Sequence, residues 1–394
     1  MRKFTPIVLL VMWACLSPFE PQTSDYDSLL VVDALLTDAP GPYQVKLSYS
    51  YGFEEEDNEK PVYVNGASVS VIDENGSVYK FNQSSDGIYL SDLSFRGEVG
   101  KRYKLSIIAN ENTYESDYEL LKACPPIDKL YANFETKNGT DGTVYGFQVY
   151  VDSNDPTAQT QYYRWDYKEA WEIRSPFYTD EEWVGTSIVP LERLLYTCYV
   201  DDYSKNILIN NTRGLTEDRI SEQKLNYIST LDEGKLNIRY GMYVKQYALD
   251  EEAYNFWKDL KEITESSGSL FDKQPFQVLG NIKNTNVPNE PVLGIFEVSG
   301  TSSAKVFFSL DDIPEGEEVN KFNTERSCYN SIDTVLFENV DEANYLGNLE
   351  NTMYVSLIYD ETGLTAYAWR FAPANCVDCR RRGGNLDPPI FWEE

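Results

Sequence analysis

The sequence predicts a mainly β protein: an N-terminal β-sandwich, then a larger β-rich domain with at least one amphipathic helix. Three observations lead there. Short runs alternating apolar and polar residues recur between residues 29 and 121, separated by turn signals at Asn75-Gly76, Asp86-Gly87 and the Gly97 to Gly100 stretch. Helical periodicity is absent from that part and is convincing only once, over residues 251–266. Cys124-Pro125-Pro126 separates the two parts, because a proline pair cannot continue a central strand and extends the residue before it.

In the sandwich, expected at 29–123, the candidate strands are 29–36, 43–49, 67–72, 78–81, 103–108 and 114–120. The order PVYVNGASVSVIDENG, DGIYLSDLSF, GKRYKLSI resembles small sandwiches of the transthyretin-like or Ig-like kind, which usually serve as adaptors. The second domain, expected at 124–394, opens with strands at 130–135, 144–151 and 162–173. Its helix has Asp250 as N-cap, Glu251 and Glu252 in the first turn, and Ala253, Phe256, Trp257, Leu260 and Ile263 on one face, with Gly268 beyond the end. Strands resume at 276–282, 293–298, 304–310, 334–337, 353–359 and 367–371.

The N-terminus has the form of a secretory signal over residues 1–14, with Arg2 and Lys3, an apolar core from Ile7 to Trp13, and Ala14 before Cys15. That core is shorter than the roughly 20 apolar residues of a membrane-spanning helix. Cys15 is therefore the expected lipidation site, with 15–28 as a polar, Pro-bearing tether, although Met12 and Trp13 are atypical before a lipoprotein cysteine. Several acyl chains on Cys15 would hold the protein on a membrane where one chain would not. The charge is −30, from 34 basic and 64 acidic residues. A field of that sign disfavours nucleic acid and anionic headgroups as partners, and its bland purpose is solubility. The run Glu54, Glu55, Glu56, Asp57, Glu59 reads as a solvated loop.

The stretches YYRWDYKEAWEI (162–173), VKQYALDEEAYNFWKDLKEITESSGSLFDKQP (244–275), GNIKNTNVPNEPVLGIFEVSG (280–300) and CVDCRRRGGNLDPPIFW (376–392) together resemble a family of Bacteroidota envelope lipoproteins, domain of unknown function 4249. LLVVDALLTDAPGPYQVKLSYS (29–50) fits the opening of that family. The resemblance implies an outer-membrane, lipid-anchored protein, with the surface leaflet favoured. It also implies a TonB-dependent transporter, a β-barrel, as partner, and no demonstrated reaction. The family pattern usually lacks a cysteine near 124, so Cys124 is the expected unpaired thiol. Four other cysteines then remain, Cys198, Cys328, Cys376 and Cys379, which allow three pairings; those joining Cys198 and Cys328 to the 376/379 pair are favoured.

There is no histidine, which removes Ser-His-Asp and Cys-His activation and the commonest zinc ligand. The expectation is a non-enzymatic protein without cofactor or metal, an accessory or ligand-capture subunit. The rivals are a structural or assembly subunit of an outer-membrane complex and a carboxylate-dependent glycan hydrolase, for which abundant acids give no discrimination without geometry. Cys376-x-x-Cys379 has the spacing of half a zinc site or a redox pair, but without a second CxxC it reads better as a staple of the C-terminal tail. Arg380, Arg381 and Arg382 would neutralise nearby carboxylates. Asp152-Ser153-Asn154-Asp155 begins like a calcium loop, but Pro156 breaks the EF-hand pattern. The positive clue is aromatic: Tyr163, Trp165 and Tyr167 share a strand face that reads as core, while Trp171, Tyr178 and Trp183 are the candidates for ligand or partner contact, the last two on an acidic loop.

Overall fold

The computed structural model describes residues 28–50, 62–139, 142–265, 277–317, 319–320, 326–359 and 362–392. Cys15, the tether, the run at 54–59, Ser266 and Gly268 lie outside them.

The chain is mainly β. The first nine strands are β1 (Leu30–Thr37), β2 (Gln44–Tyr49), β3 (Val62–Tyr63), β4 (Ser68–Asp73), β5 (Val78–Ser85), β6 (Ile88–Leu90), β7 (Arg102–Ala109), β8 (Asn112–Ser116) and β9 (Glu119–Leu120). Alternation places Leu30, Val32, Ala34 and Leu36 of β1, Val69 and Val71 of β4, and Tyr103, Leu105 and Ile107 of β7 in one core. The run expected at 114–120 is two strands, because Asp117 and Tyr118 leave the ladder before β9 pairs with β7.

Nine more strands and a helix follow: β10 (Ile127–Gly139), β11 (Gly142–Asn154), β12 (Tyr162–Arg174), β13 (Glu181–Val184), β14 (Ser187–Pro190), β15 (Thr197–Tyr203), β16 (Leu208–Asn211), β17 (Arg219–Ser229), β18 (Tyr240–Leu249) and α1 (Glu251–Thr264). After β19 (Ile282–Asn284) comes β20 (Leu293–Phe308), sixteen residues long. It unites the two strands expected at 293–298 and 304–310, since Gly300 and Thr301 stay paired with Ala248 and Tyr247 of β18. The strand expected at 276–282 is instead an isolated bridge of Leu279 to Leu293 followed by β19. The C-terminal module comprises α2 (Arg326–Tyr329), β21 (Asp333–Leu336), α3 (Val340–Gly347), β22 (Thr352–Tyr359) and β23 (Ala366–Pro373).

One hydrogen-bonded path joins fifteen strands in the order β15-β12-β18-β20-β1-β2-β6-β5-β4-β7-β8-β19, with β16, β3 and β9 alongside. Its central step pairs β1 and β20 in parallel, from Val31 opposite Leu293 to Thr37 opposite Ser299. Gly294 makes that approach possible: its φ is +89°, and a Cβ there would lie 1.8 Å from the Val32 carbonyl oxygen. β20 thus serves two cores, giving Phe296 and Val298 to the sandwich and Phe308 to the second core.

That second core lies between the β12-β18-β20 part of the large sheet and the separate β10-β11-β17 sheet, which supplies Phe147, Val149, Val151, Leu225 and Ile228. Helix α1 starts where its signals place it: the Asp250 side chain accepts from the Ala253 N–H, and Ala253 and Phe256 are buried against Tyr162, Tyr247, Leu249 and Ile295. The disulfides are Cys198–Cys379 and Cys328–Cys376, and Cys124 is the free cysteine among the described residues. No helix among the described residues is long and apolar enough to cross a membrane.

Candidate functional site

Strands β12, β18 and β20 have two unlike faces. Tyr163, Trp165, Tyr167, Met242, Val244 and Phe308 point into the second core. The alternate residues form a polar lattice: Arg164 lies opposite Tyr247, Asp166 opposite Lys245 and Lys168 opposite Tyr243, while on β20 Lys305 lies opposite Tyr243 and Ser303 opposite Lys245. β15 extends one row, setting Tyr203 opposite Lys168. Across four strands the row therefore reads Tyr203, Lys168, Tyr243, Lys305, ring and ammonium alternating at about 4.8 Å per strand.

Two adjoining cavities, of 410 Å³ and 710 Å³, lie over this lattice and share Lys168, Tyr203, Tyr243 and Lys245. Ser204 to Leu208 and Trp257 of α1 wall the first, and the tail residues Pro389, Ile390 and Phe391 wall the second. Arg164, Lys168, Lys205, Lys245 and Lys305 line the pair, and among the described residues the carboxylates lining it are Asp166 and Asp201. In a chain of charge −30 this is a local inversion of sign.

Arg164 anchors the first cavity. Its guanidinium donates from Nη2 to Glu297 Oε1 at 3.1 Å, lies 3.6 Å from Asp166, and is held 4.0 Å from the Tyr247 ring and 4.6 Å from the Trp257 ring. Burial works against its charge, but Glu297, Tyr247 and Asp166 outweigh burial and hold it firmly protonated. Glu297 is buried and also accepts from Trp257 Nε1 at 2.7 Å and Ser299 Oγ at 3.0 Å. Tyr247 donates to Asp166 at 2.7 Å, and burial followed by the Asp166 charge raises its phenol well above the usual range. The buried Nε of Arg164 meets no acceptor among the described residues.

Lys205 is tied to Asp202 at 2.9 Å. Lys168 and Lys245 have no carboxylate partner among the described residues, and Lys168 Nζ sits 5.1 Å over the Tyr203 ring. The tail wall is fastened by the Cys198–Cys379 bond, the Tyr199 to Asn385 bridge, an Arg193–Asp387 ion pair at 2.7 Å, and Trp392 packed on Tyr199 and Phe307. Phe391 then lies parallel to Tyr243 with ring centres 5.9 Å apart.

The aromatic residues picked out in the sequence are not the ones that gather here. Trp171 is 6 % exposed, in the second core beneath Lys235, whose Nζ is 4.4 Å from its ring. Trp183 is 9 % exposed and sits on strand β13, not a loop; Trp369, Phe371 and Tyr354 surround it, and a Cβ on Gly347 would lie 2.3 Å from its ring. Neither offers a contact surface. Tyr178 is 52 % exposed, edge-on to Tyr196, but stands outside both cavities.

Strand periodicity in YYRWDYKEAWEI already set Arg164, Asp166 and Lys168 opposite the core face. What hid the site was β18, which carries large side chains on both faces and so shows no clean alternation, and whose Tyr243, Lys245 and Tyr247 complete the lattice.

The other polar features lead elsewhere. Asp155 spends its oxygens on Thr157, Gln159 and Thr160 of its own loop, and Asp152 accepts from the Glu222 N–H, so this acidic stretch is a built turn. No cluster of three metal-ligating side chains occurs among the described residues. Cys124 is enclosed by Gln246 and Ser302, and burial pushes its thiol up to about 11, which keeps it protonated and unreactive. Glu119 of β9 is buried beside the helix cap Asp250. Burial first, then the Asp250 hydrogen bond and charge, push its carboxyl up to about 8, while Asn281 donates to it at 3.1 Å.

None of the curated proteins matches this chain. A family profile matches residues 17–305, which takes in β1 through most of β20 and leaves the C-terminal module and the tail wall, with the CVDCRRRGGNLDPPIFW stretch, outside the matched span. Since the match covers more than half of the chain, the protein belongs to the family described as Domain of unknown function (DUF4249).

Proposed function

We propose that this protein is an exported, lipid-anchored ligand-capture subunit that serves a TonB-dependent β-barrel transporter at the outer membrane, without chemistry of its own. The observation that carries the capture reading is the cation- and tyrosine-lined groove over β15, β12, β18 and β20, a cleft of ordinary ligand-site size with a few convergent polar groups. The signal-like N-terminus ending at Cys15 supports the anchor, and the family resemblance supports the transporter. Asp166 is engaged by Arg164 and Tyr247, and the chain has no histidine, so the groove's chemistry suits contact better than bond breaking.

A second reading, an assembly subunit without a small ligand, draws on the C-terminal module. It exposes Leu336, Phe337, Tyr345, Leu364 and Tyr367, side chains suited to a protein partner.

A mild-detergent pull-down of the full-length protein with mass spectrometry tests the partner. The expected result is a co-purifying β-barrel transporter, and recovery of soluble envelope enzymes alone would overturn the proposal. For the anchor, Cys15→Ser should release the protein from the membrane fraction.

A further inference from the structure

We infer that the groove binds an acidic oligosaccharide, a chain of pyranose rings bearing carboxylate or sulfate groups on alternate units. The inference rests on the capture reading and names its ligand.

The argument starts from spacing. In the row Tyr203, Lys168, Tyr243, Lys305, neighbours are one strand apart, so the two ammonium groups start from positions about 9.6 Å apart, with a phenol ring between them and another beside Lys168. A β-linked pyranose chain advances by nearly one strand spacing per unit. Laid across the strands, it would set one ring over each side chain of the row. The apolar face of one sugar then meets Tyr203 or the Tyr243 ring with Phe391 packed beside it, and the acidic group of the next meets a lysine.

The charges agree with the spacing. Among the described residues the lattice gathers five cations against two carboxylates on a strongly acidic chain. Asp166 is engaged by Arg164 and Tyr247, and Asp201 lies opposite Ala170 on β15, two residues before Tyr203. Lys168 and Lys245, with no carboxylate partner among the described residues, stand where an anion would complete them. The buried Arg164 Nε, a donor without an acceptor at the floor of the same cavity, is a further sign that this polar set is incomplete by itself.

An acidic peptide is the competing occupant and fits less well. Extended peptides are recognised by adding to a free strand edge, where backbone groups supply affinity. Here β18 is paired on both sides along the groove, by β12 and β20, and β12 is flanked by β18 and by β15 and β16, so the middle of the groove floor offers side chains only. Rings and point charges with no free backbone ladder are the chemistry of sugar recognition.

The C-terminal tail contributes the wall. Pro389, Ile390 and Phe391 bound the second cavity and are held there through Cys379 and Cys198, the latter on the same strand as Tyr203. Reducing that bond should weaken binding without removing the lattice.

The test is calorimetric titration of the full-length protein in mild detergent with four probes: hyaluronan oligosaccharides, which are β-linked with a carboxylate on every second unit, a sulfated β-linked oligosaccharide, methyl-esterified hyaluronan oligosaccharides and poly-glutamate. The inference expects one or both charged glycans to bind, with the stronger deciding between carboxylate and sulfate. The methyl ester and poly-glutamate should bind at least about tenfold more weakly, and added salt should weaken the charged glycan. Lys168→Ala and Lys245→Ala should each cost about tenfold in affinity, Lys168→Arg should retain it, and Tyr203→Ala should weaken charged and esterified chains alike. Melting temperatures of the variants show whether they fold, since these side chains are on the surface.

Equal binding of the methyl ester, tighter binding of poly-glutamate, or lysine variants that bind as the parent does would each overturn the inference. The wider reading fails differently, by the absence of the transporter from the pull-down whether or not a glycan binds. A transporter present with no glycan bound removes the ligand assignment alone.

Discussion

The groove and the joint between the sandwich and helix α1 handle like charge in opposite ways. In the groove, Lys168 and Lys245 sit at separate lattice points, diagonal to one another, where like charges repel weakly. At the joint, Glu119, Asp250 and Glu252 come together, with Glu119 buried, and the conflict is settled by a proton that Glu119 keeps to about 8. Asp117, tied to Lys283 at 2.6 Å, stands beside them. Charges held apart in water remain available to an outside partner, whereas charges buried together must be neutralised from within and become a condition of folding.

The largest effect should come from Arg164, which sits at the floor of the groove yet is buried like the joint. Arg164→Ala leaves Glu297 as an uncompensated buried carboxylate and should cost about 3–5 kcal/mol in urea denaturation. A loss below about 1 kcal/mol would mean the guanidinium belongs with the dispensable surface lysines.

Next comes the staple behind the groove wall. Replacing Cys198 and Cys379 together by serine should cost about 2–4 kcal/mol, read by thermal melting, and should raise proteolysis near the C-terminus.

At the joint the prediction concerns slope. Glu119 keeps its proton to about 8 in the fold, while in the unfolded chain it releases it near the ordinary value of 4.5. As the pH rises between those values only the unfolded chain loses a proton, so the contribution is full below the ordinary value and gone above about 8. Glu119→Gln should flatten this part of the stability–pH profile, and a parent-like fall in the variant would assign the dependence elsewhere.

The smallest effect is expected at Lys168. Lys168→Ala should change stability by no more than about 0.5 kcal/mol, because the side chain is exposed and has no carboxylate partner among the described residues.

Much of this was legible before any tertiary information. Period-2 runs marked β1, β2, β4 and β7, the Asp250 signals marked α1 to within two residues, and the odd cysteine was named as Cys124, with Cys198 and Cys328 expected to bond into the 376/379 pair but not which to which. The failures have physical reasons. β18 reads as a nearly unbroken run, YGMYVKQYAL, because both its faces carry large side chains, one in the core and one in the groove. Trp183 sits among acidic residues that suggest a loop, yet its short strand turns the indole inward beneath Gly347. The site itself joins positions from 164 to 391, and no local pattern encodes that meeting.

Strand content, the helix and its cap, the lack of histidine and the acidic balance follow from residue type and short-range period alone. The parallel pairing of β1 with β20, the enclosure of Trp171 and Trp183 and the gathering of scattered lysines and tyrosines into one row arise in the folded chain. Those outcomes depend on which strands become neighbours, and strand neighbours are chosen by the packing of whole faces, which no short stretch of chain specifies.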